Sequence, residues 1–197
     1  LIYNNFYADV IDNDITGVRV GVQTGNFSQA NPGKTASISG NEISAMRTGI
    51  FYNLHYSSAS PFTVANNVIT ATNDPSAPVN ARWFGMLISS QQTAVSANFN
   101  NNTIDGSASS IATKAGYTVW NTPTTGALNI NGGSVTGVDY GVWVNNYEGY
   151  LSNGDNTDVT VNGVEITASD IGVYVLDSPA NTNGSSVHAT IQNNTKI

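Results

Sequence analysis

Asp139 and Asp170 each stand two residues before a glycine, in segments that otherwise match: VDYGVWV at 138–144 and SDIGVYV at 169–175. Two carboxylates held about 4.8 Å apart on neighbouring strands share a proton, bind a cation or splay into solvent. Sharing would suit general acid and base work on a glycan, with help from Lys114, and cation binding would suit Ca2+. Both aspartates fall in a turn with no cover evident in the sequence, so separate solvation is the expectation.

Counted through the whole chain, the same position reads Arg19, Arg47, Trp83, Lys114, Asp139, Asp170, basic first and acidic last. Such a column predicts a groove in which the cations and Trp83 hold an acidic or neutral sugar chain. An Arg fork matches a carboxylate, and an aromatic ring offers a flat apolar face. The outward Phe51, Leu87, Trp143 and Tyr174 suit contact with a sugar or another protein, and burial under covering loops suits them equally; Trp143 and Tyr174 are the glycan-binding candidates among them. The competing structural reading pairs Arg19 and Arg47 with Asp14 and Glu42, each one place before an apolar anchor. Exposed pairs of that kind contribute only about 0 to 1 kcal/mol.

Other chemistry is thinner. Asp155 and Asp158 in LSNGDNTDVT resemble an Asp-rich Ca2+ loop, but the spacing and distal Glu of an EF-hand are missing, so a plain loop is expected. His55 and His188 are too far apart in the pattern for a two-His metal site, and there is neither a GxSxG elbow nor a cysteine. Six Lys plus Arg against 13 Asp plus Glu, a net charge of −7, argue against nucleic acid, whose phosphates demand many basic contacts. No apolar run approaches the roughly 20 residues of a membrane helix.

The elements that must carry these residues emerge from self-similarity. An apolar anchor precedes a glycine six times: Ile15 with Gly21, Ile43 with Gly49, Ile69 with Gly85, Ile104 with Gly116, Val135 with Gly141, Ile166 with Gly172. The glycines lie 28, 36, 31, 25 and 31 residues apart. Anchor and glycine are six residues apart in four turns but 16 and 12 in the third and fourth, which predicts insertions over 70–84 and 105–115 on neighbouring turns.

After each glycine, apolar residues alternate at period two, so Val22, Ile50, Met86, Tyr117, Val142 and Val173 point inward. Gln23, Phe51, Leu87, Thr118, Trp143 and Tyr174 point outward. Two places before the anchors stand Asn13, Asn41, Asn67 and Asn102, then Gly133 and Val164; the asparagines are placed to stack their amides from turn to turn. Short β-rich segments at a period near 30 residues mean a solenoid.

The segments NNVI at 66–69, NNTI at 101–104, GGSV at 132–135, GVWV at 141–144 and GVYV at 172–175 resemble the right-handed parallel β-helix repeat of pectate-lyase-like enzymes, phage tailspikes and bacterial surface proteins. The resemblance implies an all-β, right-handed parallel β-helix solenoid of about six coils with three short strands each. Flat faces of that fold often bind polysaccharide. In its lyases a cluster of acidic Ca2+ ligands accompanies a catalytic Arg or Lys, whereas here the arginines and the acidic pair are separated by several coils. The repeat itself records coil geometry rather than a reaction.

Leu1 to Asn5 align with Val142 to Asn146, and Ile197 with Ile166, so both ends fall mid-coil. The expectation is a single β-helix segment over 1–197, part of a longer chain whose flanking coils continue it. End-to-end stacking of copies into a filament is the alternative. With no cysteine and few charges, the expected setting is a bacterial secreted or surface protein. The expected role is a non-catalytic, adhesin-like rod or spacer that contacts glycans without a cofactor; a polysaccharide lyase or hydrolase using Asp139 and Asp170 is the alternative.

Overall fold

The computed structural model describes residues 9–24, 37–53, 62–89, 96–124, 127–146, 155–177 and 184–194. The described residues contain strands and turns and no helix. Numbered along the chain, the first rung is β1 (Val10–Ile11) and β2 (Asp14–Thr24), and the second is β3 (Ser37–Ser39) and β4 (Glu42–Asn53). The third is β5 (Phe62–Ala65), β6 (Val68–Ala71) and β7 (Arg82–Ser89); the fourth is β8 (Ala97–Asn100), β9 (Thr103–Asp105) and β10 (Thr113–Trp120). β11 (Ala127–Asn131) with β12 (Ser134–Asn146), then β13 (Asn156–Asn162) with β14 (Glu165–Asp177), lead to β15 (Ser186–Gln192).

Every pairing among these strands is parallel. One sheet runs β1-β3-β5-β8-β11-β13-β15; the other holds the remaining eight strands. The result is an all-β parallel β-helix. Where the anchor and glycine are six residues apart, the two expected strands of a coil merge into one bent strand, as in β4, β12 and β14. They separate only where the insertions intervene, between β6 and β7 and between β9 and β10.

The register stacks the six anchors directly: Ile15 on Ile43, Ile43 on Ile69, Ile69 on Ile104, Ile104 on Val135, Val135 on Ile166. The glycines are required by this stacking rather than by a special φ. A β-carbon on Gly21, Gly49, Gly85, Gly116 or Gly141 would collide with a γ-carbon of the next coil's anchor and would stand 2.5–2.7 Å from the next glycine's carbonyl oxygen. The repeat of anchor and glycine is therefore a steric pair between coils.

The asparagine ladder forms as expected. Asn13 Nδ2 donates to Asn41 Oδ1 at 2.9 Å, Asn41 Nδ2 to Asn67 Oδ1 at 2.8 Å, and Asn67 Nδ2 to Asn102 Oδ1 at 2.9 Å. Each Oδ1 also accepts the backbone N–H of the preceding coil's Asn, and the amides of Asn41, Asn67 and Asn102 donate to Val10, Ile38 and Val64 carbonyls. Ahead of this column lies a left-handed residue in every coil: Asp12, Gly40, Asn66, Asn101, Gly132, Gly163 and Asn193. Gly133 and Val164 interrupt the ladder, and Asn194 resumes it by accepting from the Val164 N–H at 2.8 Å.

Inside lies one continuous core of Val, Ile and aromatic columns, including the edge-to-face rings Tyr52, Phe99 and Tyr117. Val175, two places after the inward Val173 and stacked on the buried Val144, is 40% exposed because no described rung covers β14 there. The alignments of residues 1–5 and of Ile197 lie outside the described residues, as does His55.

Candidate functional site

The outer side of the strands that follow the glycines carries a second apolar cluster, separate from the core. Phe84, Ala115 and Trp143 are buried in it, with Leu87, Trp120, Tyr140 and Tyr174 packed around them. Parallel register builds this strip: Phe84, Ala115, Tyr140 and Ile171 stack in one column, and Leu87, Thr118, Trp143 and Tyr174 in the next. The Tyr140 and Tyr174 rings stack at 5.7 Å and 28°, and Trp143 lies 5.0 Å from Tyr140 and 6.0 Å from Tyr174. Trp143 thus points outward as expected, but at 9% exposure it lies under its aromatic neighbours rather than open to a sugar, which corrects its expected role as a glycan contact; Thr118 is wholly covered. Neither Trp143 Nε1 nor Thr118 Oγ1 has a hydrogen-bond partner among the described residues.

Arg82 completes the strip. Its exposed side chain places the guanidinium carbon 5.7 Å from the Trp120 ring centre and 5.3 Å from that of Trp143. Beside it opens a cleft of about 600 Å3, bordered by Arg47, Phe84, Trp120 and the first insertion. Neither Arg82 nor Tyr140 was singled out by the sequence. For Tyr140 the signal lay in the column immediately before each glycine, Val20, Thr48, Phe84, Ala115, Tyr140, Ile171, where bulky rings appear among smaller residues; Arg82, three places before Gly85, belongs to no such column.

The column of Arg19 to Asp170 does not behave as one groove. Trp83 is fully buried, its Nε1 donating to the Ala45 carbonyl at 3.1 Å. It shares the core with the small side chains of Ala45, Ala71 and Ala81, and burial of so large an apolar ring outweighs exposure. This corrects its expected role as a sugar platform. Arg47 pairs through Nε with Asp74 of the first insertion at 2.6 Å, not with Glu42, which is exposed. The Arg47 guanidinium and the Ser76 hydroxyl hold the Asp74 carboxyl down at about 2. Arg19 is exposed on β2.

Asp139 and Asp170 are not paired. The register shifts between Val138 and Tyr140 set both Ser169 and Asp170 of β14 against Asp139 of β12. Ser169 Oγ, not Asp170, meets the carboxylate, donating to Asp139 Oδ1 at 3.1 Å, while Oδ2 accepts the Lys114 backbone N–H at 2.7 Å. Asp139 therefore ties three coils together. Lys114 and Asp139 border a smaller cleft of about 330 Å3, and Asp170 stands exposed outside it.

Asp158 faces His188 Nδ1 at 3.1 Å in an exposed pair, and the Asp155 carbonyl accepts the Ser186 N–H at 3.3 Å. Among the described residues no three His, Cys, Asp or Glu side chains gather where a metal ion could be held.

Comparison with family models, curated proteins and solved structures finds no match. The fold therefore stands on the stacking of the coils, and the site on its own chemistry.

Proposed function

We propose that this chain is a non-catalytic segment of a bacterial extracellular or surface protein, a β-helix rod of the pectate-lyase-like kind that contacts glycans. One observation carries the reading: Tyr140 and Tyr174, half-buried rings of the outer strip, stack across neighbouring coils on the buried Trp143. Rings ranked along a rigid rod suit the repeating apolar faces of a polymer of sugar rings, and their preformed geometry leaves little ordering to be done on binding. The acidic pair that a lyase or hydrolase would need lends no support, since both Asp139 oxygens serve hydrogen bonds between coils.

A glycan array probed with the intact chain tests the proposal. Binding to a set of polysaccharides that falls at least about tenfold in the Tyr140→Ala, Tyr174→Ala double variant is expected, one aromatic contact being worth roughly 0.5–1.5 kcal/mol. An array without signal would remove the reading.

A further inference from the structure

Among the clefts of the described surface, the one beside Arg82 has a charge composition at odds with the chain. The protein carries six Lys plus Arg against 13 Asp plus Glu, yet two arginines and no carboxylate line this cleft. Asp74, which neutralises Arg47, is almost fully buried and lies outside the lining. The pair occupies the Nε donor of Arg47.

Arg82 is held differently. It takes part in no ion pair among the described residues, and its guanidinium carbon lies over the Trp120 and Trp143 rings at 5.7 and 5.3 Å from their centres, within cation–π range. A cation–π contact draws the charge to the rings without requiring a hydrogen-bond acceptor, so the five N–H donors of the guanidinium are left for a ligand. A positioned fork with free donors is the arrangement that binds a two-oxygen or three-oxygen anion in bidentate fashion. Next to it, Phe84 and Trp120 offer apolar surface to the ring that bears the anion, and the strip continues toward Tyr174 across neighbouring coils.

We infer that this cleft is an anionic subsite, in which Arg82 receives the carboxylate or sulfate ester of an acidic polysaccharide lying along the aromatic strip. The inference rests on the glycan reading above and adds its substrate class. Arg47, paired with Asp74, lines the same cleft and leaves the uncompensated charge there to Arg82.

Titration calorimetry with four oligosaccharides of equal length tests it: a uronate oligomer, its neutral methyl ester, a sulfated oligomer and an unsubstituted neutral oligomer. The charged oligomers are expected to bind about tenfold or more tightly than the neutral ones, the worth of one charge-assisted hydrogen-bonded pair. Arg82→Gln should bring charged binding down to the level at which the wild type binds the neutral oligomers. Arg82→Lys should recover part of the difference. Preference for the uronate or for the sulfate ester alone supports the inference and identifies the anion. Equal binding of charged and neutral oligomers, unchanged charged binding in Arg82→Gln, or equal competition by polyglutamate overturns it while the glycan reading stands. Failure of every oligosaccharide to bind removes both.

Discussion

A γ-methyl of Ile69 occupies the space that a β-carbon on Gly49 would need, and the Gly85 carbonyl oxygen lies 2.6 Å from the same point. One contact is a side chain and the other is backbone, so the coil cannot relax by a rotamer change alone. Gly49→Ala is therefore expected to destabilise the fold by about 3 kcal/mol or more, at the upper end of overpacking effects. Gly17→Ala supplies the contrast. At φ +68 with nothing within 4 Å, it carries only the left-handed backbone cost of about 1–2 kcal/mol. Urea melts of the two variants should rank in that order.

The ladder amide of Asn67 satisfies buried groups on the coils to either side of its own, so its removal leaves several of them bare. Its Oδ1 accepts the Asn41 N–H and the Asn41 Nδ2, and its Nδ2 donates to Ile38 and Asn102. Asn67→Ala should cost about 3 kcal/mol or more, each unsatisfied buried group costing roughly 1–3 kcal/mol. Asn13→Ala, at the exposed end of the ladder, should cost about 1 kcal/mol in the same denaturant series.

Acid should act first on the insertion. Asp74 has its carboxyl held at about 2, against an ordinary value of 3.8, by Arg47 and Ser76. A lowered folded-state value favours the folded form above the ordinary pKa, and the advantage fades as pH falls from about 4 through about 2. The thermal midpoint of the wild type should decline through that window more steeply than that of Arg47→Ala. Carbon-detected NMR titration of Asp74 should show its midpoint rising toward the ordinary value in the variant; an unmoved midpoint would refute the pairing.

Two aromatic residues that look alike in sequence should respond oppositely. Trp83→Ala removes a wholly buried ring and an indole hydrogen bond, and should lower stability by about 3–5 kcal/mol. Tyr174→Ala trims a half-buried ring on the outer strip and should weaken glycan binding while the melt moves little. Paired melting and binding curves check both; loss of stability in Tyr174→Ala equal to that in Trp83→Ala would place the strip in the core.

Much of the fold was legible because stacking makes each residue its own neighbour one period later. The anchor, the glycine six places on and the asparagine two places before repeat along the chain, since each meets its counterpart in the next coil. Both insertions were visible as stretched intervals, and they separate β6 from β7 and β9 from β10. The site was less legible. Its aromatics Trp143 and Tyr174 were readable from alternation, which also sets Trp120, two places after Thr118, on the outward face, but Tyr140 and Arg82 precede the glycines and fall outside the columns that alternation defines.

The sequence by itself determined the period, the inward and outward faces and the ladder, all consequences of identical geometry repeated along one axis. Only the tertiary structure decided which side chains meet across that axis. A register shift gave Asp139 a serine instead of Asp170, an insertion carried Asp74 to Arg47, small core alanines accompany Trp83 inside, and Arg82 settled between two indoles. These outcomes depend on bulges, loop paths and local free volume, which break the repeat and therefore leave no period in the sequence to read.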